Sequence, residues 1–304
     1  MRVVALAGGT GSAKLLRGLS ALGVDLTIVA NVGDNVWVHG LYVCPDLDIA
    51  MYTLAGLANR RQGWGIEGDT FRTLAQLARI GEPTWFALGD MDIATQIVRT
   101  KMLHEGLTLT SVTERLREAF HVAQEILPLT DDPVETCILT PGGYVHLQEF
   151  WVRDRGRPAA MGVSYRGSSQ ARLTEEVKKA IKRADRIVLC PANPVTSIGP
   201  MLAVPGFSRT LSQAKARVTA LSPMVGRVPF SGPAAKLMKA VGMRSDSVGV
   251  AQIYSEFLDS LVIDRSDEGI AGELEELGVR CVPSDTLMRN ASEEKRIAKE
   301  LLEV

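Results

Sequence analysis

Cysteine is scarce in this chain: four in 304 residues, Cys44, Cys137, Cys190 and Cys281. They are widely spaced and fit no zinc-ligand pattern, so they read as core thiols of a reducing compartment. Charge of either sign is not in surplus. The 34 Lys and Arg face 35 Asp and Glu, a formal net charge of −1. That balance argues against a general nucleic-acid or membrane footprint and leaves room only for local basic patches. No apolar run is long enough to cross a bilayer. The N-terminal run Val3–Ala7 is short and ends at once in glycines, so no secretory signal is expected. Histidine is sparse too. His39, His104, His121 and His146 are scattered, and no Ser-His-Asp or Cys-His grouping is visible. His39 alone stands close to acidic motifs. The expectation is a soluble, cytoplasmic protein.

What is present is a large apolar fraction, 46%, enough for a sizeable core. "RVVAL" (2–6) is a continuous apolar run, as in a strand buried on both faces of a parallel sheet. A helix is predicted over 12–22, with Leu15, Leu16, Leu19 and Leu22 on one face. "DLTIVANV" (25–32) is a second strand, completing a βαβ unit. Apolar runs return at 184–190, 216–223, 260–264 and 279–283. Together they predict an α/β protein with a doubly wound, mostly parallel Rossmann-like sheet of about six strands. The middle breaks the rhythm, with predicted helices at 46–60, 69–80, 90–103 and 111–121 and an antiparallel hairpin over 137–152. The expected organisation is a nucleotide-binding core, 1–45 and 166–304, around an acceptor-binding, mostly helical insertion, 46–165.

The junction after the first strand, "LAGGTGSAKLLRGL" (6–19), carries the first chemical signal. Gly9-Thr10-Gly11 starts a dinucleotide fingerprint, but Lys14 stands where the third glycine belongs. The P-loop pattern fails as well, because no Gly-Lys-Ser/Thr ends the loop. Glycine-exposed amides at a helix N-terminus still attract an anion. Ser12 is a candidate helix cap and Lys14 a source of positive charge. The alternative is a tight strand-to-helix turn without a ligand.

Acidic motifs follow. "NVGDN" (31–35) ends the second strand, and "CPDLD" (44–48) opens the first helix of the insertion. Asp46 and Asp48 could simply complement a helix N-terminus. With Asp34, however, they fall at the edge where open α/β sheets bind ligands, and carboxylates beside a phosphate site suggest magnesium. "GDTF" (68–71) and "LGDMD" (88–92) place Asp69, Asp90 and Asp92 at helix starts, and for Asp69 capping is preferred. "CPANPVTSIGPML" (190–202) and "FSGPAAKLM" (230–238) supply two more strand-to-helix turns, the latter with Ser231, Gly232 and Lys236. Three such turns on one edge suggest a diphosphate-containing ligand.

"AGGTGSAKLLRGL", "NVGDN", "CPDLD", "GDTF", "LGDMDIATQIVRT", "NPVTSIGPMLAVPG" and "GPAAKLM", in this order, closely resemble the 2-phospho-L-lactate transferase family. The ordered set is more specific than any one motif. The resemblance implies a Rossmann-like core with a helical insertion, a homodimer, and a step in making the deazaflavin coenzyme F420. The donor would be a guanosine diphosphate derivative carrying lactate or a relative such as enolpyruvate. The acceptor would be the deazaflavin Fo (7,8-didemethyl-8-hydroxy-5-deazariboflavin). Its ribityl hydroxyl would attack the phosphorus that bears the acid, releasing GMP, with Mg2+ as cofactor. Asp48 and Asp46 are the expected catalytic groups, and Asp34, Asp46 and Asp48 the expected metal ligands. Substrate contacts are expected from Gly9, Thr10, Gly11, Ser12, Lys14, Asn31, Asp34, Asn35, Asp90, Asn193, Pro194, Ser197, Gly232 and Lys236. Trp37, Trp64, Trp85 or Tyr52 would stack on the deazaflavin. Two other readings stand behind this one. One is a sugar-nucleotide-binding regulatory protein of the gluconeogenesis-factor-like sister family, which shares the "GGTG" start. The other is an NAD-linked oxidoreductase, disfavoured by Lys14 and by a second strand that ends Ala30-Asn31 without an acid.

Overall fold

Arg2–Ala7 forms β1, whose residues after Arg2 are all buried. This is the signature of a strand covered on both faces. The structure, a computed structural model, describes residues 1–226, 228–229 and 232–304. Ser231 therefore lies outside the described residues. A glycine turn leads from β1 into α1 (Ser12–Ser20) and on to β2 (Asp25–Ala30), which pairs in parallel with β1, Val3 opposite Leu26. A small hairpin, β3 (Val36–Val38) and β4 (Leu41–Val43), turns at His39-Gly40. Both turn residues have positive φ, 50° and 75°. His39 thus serves a tight turn.

Four helices follow: α2 (Pro45–Leu54), α3 (Arg72–Arg79), α4 (Asp90–His104) and α5 (Leu109–Ala119). Then β5 (Glu125–Pro128) pairs in parallel with β2 and forms one edge of the main sheet. This strand lies inside the stretch 46–165 read from sequence as a single insertion. The insertion is therefore two pieces, one before β5 and one after it. Four residues, two of them Glu and Pro, were too short and mixed a run to register as a buried strand.

The second piece is a three-stranded antiparallel sheet, β6 (Glu135–Thr140) between β7 (Gly143–His146) and β8 (Gly162–Arg166). The predicted hairpin is present, but its second strand stops at His146, and 149–153 winds into a π-helical turn. From α6 (Glu175–Arg183) the chain returns to the core with β9 (Arg186–Leu189), a π-helical turn over 194–198, α7 (Gly199–Leu202), α8 (Phe207–Ser212) and β10 (Arg217–Leu221). The two-residue strands β11 (Met224–Val225) and β12 (Val228–Pro229) precede α9 (Ala234–Ala240) and α10 (Ser247–Tyr254). The chain ends with β13 (Ser260–Asp264), α11 (Ala271–Glu276), β14 (Arg280–Ser284) and α12 (Ala291–Glu303).

The main sheet has seven strands in the order β14-β13-β10-β9-β1-β2-β5, all parallel. Chain order reverses between β1 and β9, so a crevice opens beyond their carboxyl ends, where such sheets bind ligands. Among the described residues no helix is long and apolar enough to cross a membrane. Cys44, Cys137 and Cys190 are buried and Cys281 is half-buried, all as free thiols.

Candidate active site

The two loops that leave β1 and β9 meet in the crevice. Gly9 has φ +64°, a left-handed conformation that side chains disfavour. At Gly11 a Cβ would fall 2.4 Å from the carbonyl oxygen of Pro191, so only glycine lets the loops touch. The 194–198 turn is capped by Asn193, whose Oδ1 accepts from the amides of Val195 (2.9 Å) and Thr196 (3.3 Å). The Nδ2 of Asn193 is buried and has no partner among the described residues. Ser12 does not cap α1 as expected. Its hydroxyl donates to the Gly8 carbonyl (2.8 Å) and accepts from the Gly8 amide (3.1 Å), closing the turn on itself.

Beside this turn lies a pair of buried carboxylates. Asp46 Oδ1 accepts from the Gly9 amide (2.6 Å), and its Oδ2 accepts from Asn31 Nδ2 (2.8 Å). The same Asn31 nitrogen donates to Asp34 Oδ1 (3.2 Å) and to the Thr196 carbonyl (3.3 Å). One amide thus serves two acids. Burial pushes the Asp46 carboxyl up to about 6, against its hydrogen bonds to Asn31 and Gly9. Burial and the neighbouring Asp46 push Asp34 well above the usual carboxylate range.

Asp48 goes elsewhere. Residues two apart on a helix point about 200° away from each other. Asp46 reaches the glycine turn, while Asp48 reaches α4. Arg99 grips Asp48 with both terminal nitrogens, Nη2 on Oδ1 and Nη1 on Oδ2 (3.1 Å for the latter). Gln96 Nε2 adds a bond to Asp48 Oδ2 (2.9 Å) and another to Asp92 Oδ1 (3.0 Å), which also accepts from the Tyr52 hydroxyl (2.8 Å). Burial raises Asp92 to about 6, with Asp48 adding to the effect. Burial alone would lower Arg99, but Asp48 holds it above its ordinary value. The three-carboxylate metal set expected from sequence is therefore divided, with Asp34 and Asp46 on one side and Asp48 ion-paired on the other. Among the described residues no group of three His, Cys, Asp or Glu side chains is arranged to hold a metal.

These elements enclose a cavity of about 520 Å³. Gly8 to Gly11, Asp34, Asp46, Asp48, Asp92, Asn193, Ser197 and Gly232 line it, with Tyr52, Trp64, Phe86 and Trp151 as aromatic surface. No Lys or Arg is among the described residues that line it. Lys14 donates instead to the Met288 carbonyl (2.7 Å). Lys236 donates to the carbonyls of Gly156 (2.6 Å) and Pro158 (2.5 Å) and lies over the Phe150 ring. Both lysines expected at phosphates are held by backbone. Pro194 opens the π-helical turn without lining the cavity, and Asn35 turns its Nδ2 to the Tyr42 hydroxyl (3.2 Å). Asp90, expected at substrate, accepts from the amides of Arg72 (3.1 Å) and Thr73 (3.0 Å) at the start of α3. Trp37 stacks on His104 and Trp85 packs edge-on to Phe86, both off the cavity wall. Sequence reading missed Phe86, Trp151, Gln96 and Arg99. For the last two a signal existed: Asp92, Gln96 and Arg99 recur at helical spacing on one face.

A sequence profile described as 2-phospho-L-lactate transferase CofD matches residues 3–301. The chain is 40% identical over 299 residues to a 2-phospho-L-lactate transferase of Methanosarcina acetivorans, covering 98% of this chain and 97% of that protein. It is 43% identical over 312 residues to a phosphoenolpyruvate transferase of Streptomyces griseus, covering 100% and 98%. A crystal structure of a UPF0052 family member from Bacillus halodurans superposes with a TM-score of 0.67 at 16% identity, covering 99% and 98%. That last likeness is one of fold. Together with the ordered motifs and the seven-stranded parallel sheet, the profile and the relatives establish that this chain belongs to the 2-phospho-L-lactate transferase family of enzymes.

Proposed function

We propose that this protein joins a phospholactyl or phosphoenolpyruvyl group, carried by a guanosine diphosphate donor, to the ribityl hydroxyl of the deazaflavin Fo, releasing GMP, in coenzyme F420 biosynthesis. One observation carries the reading. A single cavity runs from a glycine-built turn, suited to phosphates, to an aromatic surface suited to a flat heterocycle. In the reaction, a hydroxyl oxygen bonds to the phosphorus bearing the acid, and the bond from that phosphorus to the GMP oxygen breaks. Such transfers need positioning and charge neutralisation more than covalent catalysis. The Asn193 amide, whose Nδ2 has no partner among the described residues, and the loop amides beyond Gly8 and Gly9, which are taken by Ser12 and Asp46, bind the donor. Asp48 accepts the hydrogen bond of the attacking hydroxyl and takes its proton as the new bond forms.

The cavity wall carries four aspartates and no described Lys or Arg. Carboxylates on the wall repel a diphosphate, and added positive charge offsets that repulsion. Asp34 and Asp46, sharing one amide donor, fit a single Mg2+; Asp48, paired to Arg99, does not. When bound, the ion neutralises diphosphate charge. The protein acts as a homodimer in this reading, with Trp37, Ile97 and Val98 as exposed apolar surface available for a second copy. The test is incubation with Fo, Mg2+ and guanosine diphosphate donors carrying lactate or enolpyruvate. GMP and a phosphodiester-linked deazaflavin are expected from at least one donor. Absence of GMP with every donor overturns the reading.

A further inference from the structure

The fully buried positions of helix α4 are polar. Its buried residues are Asp92, Thr95, Gln96, Arg99 and Thr100, all polar, whereas Met91, Ile97 and Val98 are 45%, 52% and 40% exposed. A soluble helix normally buries its apolar stripe. Burying an arginine that is only 1% exposed is costly unless it is paired and hydrogen-bonded. Its pairing here is specific. The two terminal nitrogens of Arg99 hold both oxygens of Asp48, and Nη1 also bonds Gln96 Oε1 and the Tyr42 carbonyl (3.5 Å). Arg99 Nε has no partner among the described residues; the Asp48 fork, with Gln96 and the Tyr42 carbonyl, sets the guanidinium plane, and the guanidinium in turn constrains Asp48.

We infer that Arg99 is a positioning residue for the acceptor half of the reaction: its fork fixes Asp48 in the one orientation from which it meets the acceptor hydroxyl, and keeps it apart from the Asp34–Asp46 pair. This rests on the transferase reading above. A planar bidentate donor does this and a lysine ammonium does not, because the ammonium grips a carboxylate as a point charge. Arg99 touches no substrate, since Asp48 stands between it and the cavity.

The experiment is a double-mutant cycle of Arg99→Lys and Asp48→Asn, both chosen to keep the site filled and hydrogen-bonding. GMP release is measured against Fo concentration, GDP binding by calorimetry and folding by thermal melts. Arg99→Lys is expected to lower kcat/KM for Fo by roughly tenfold to a hundredfold, as small misplacements do. GDP affinity should stay within about twofold, as for separated sites. In the Asp48→Asn background, Arg99→Lys should cost nothing further. Wild-type kcat/KM in Arg99→Lys overturns the proposal, as do losses that multiply in the double variant. A parallel fall of GDP affinity and melting temperature overturns it too, showing a structural role alone. If wild-type protein releases no GMP from Fo with any donor, the transferase reading fails and this inference fails with it. Activity in the wild type together with any of the other outcomes leaves that reading standing.

Discussion

Asn31 links the two acids beside the glycine turn. Its one side-chain nitrogen binds two buried acids, Asp34 and Asp46, and no Lys or Arg among the described residues stands beside them on the cavity wall. Like charges so close disfavour double ionisation unless a cation joins them. Asp46→Asn is therefore expected to cut GMP release on the order of a hundredfold, the scale for removing a charge clamp. It should also abolish the Mg2+-induced rise in melting temperature measured with GDP present. An unchanged Mg2+ response would return Asp46 to a structural role. Asp92 offers a pH test. Its folded-state value is raised from 3.8 to about 6, so the folded protein binds an extra proton between those values. Its contribution to stability then falls as pH rises through that window and stays reduced above it. Asp92→Asn should gain melting temperature relative to wild type as pH rises from about 4 to about 6, with a flat difference beyond. A constant difference across the series would show that Asp92 is not held protonated.

At the scale of elements, α3 and α4 begin by capping each other. Asp69, at the start of the α3 segment, accepts from the amides of Met91 (2.9 Å) and Asp92 (3.1 Å) at the start of α4. Asp90 returns the favour to Arg72 and Thr73 and binds the Thr70 hydroxyl. The Thr70 and Thr73 bonds hold the Asp90 carboxyl well below its usual range. A distant acid thus does for each helix what a local N-cap does elsewhere. Asp90→Ala is expected to lower the melting temperature by a few degrees while leaving the GDP affinity of the folded protein near wild type. A lost GDP affinity with an unchanged melt would place Asp90 at the substrate after all.

At the scale of the whole molecule, the switch between β1 and β9 sets the site and the helical segments roof it. The outer face of that roof is apolar at Ile97 and Val98, beside the exposed Trp37 of the hairpin. If it joins two copies, sedimentation should report twice the 32.9 kDa chain mass, and Ile97→Glu should give a monomer. A wild-type monomer at micromolar concentration would remove the dimer. The free thiols make a second global prediction. Cys44, Cys137 and Cys190 are buried and Cys44 and Cys190 are pushed up to about 12 by burial. A reductant should change neither electrophoretic mobility nor GMP release; a shift in either would reveal a disulfide.

Residue order alone determined the βαβ start, because a fully buried strand and a glycine turn are local patterns that Val3–Ala7 and Gly9–Gly11 display in full. It determined the family as well, through seven ordered motifs, and the starts of α2 and α4, through proline and acids in their first turns; α3 and α5, which have neither, begin at Arg72 and Leu109 rather than at the expected 69 and 111. It left open which side chain meets which. Lys14 and Lys236 looked like phosphate ligands because lysine follows glycine in both turns, yet tertiary contacts supply carbonyls 274 and about 80 residues away in sequence. Asp46 and Asp48 looked alike because they are neighbours. The helix turns them apart, and only the packing of α4 provides Arg99 for one of them. Strand β5 escaped because its place at the sheet edge comes from pairing with β2, not from its own four residues. Local sequence encodes conformation and burial, whereas charge pairing across a core depends on which surfaces the fold brings within a few ångströms.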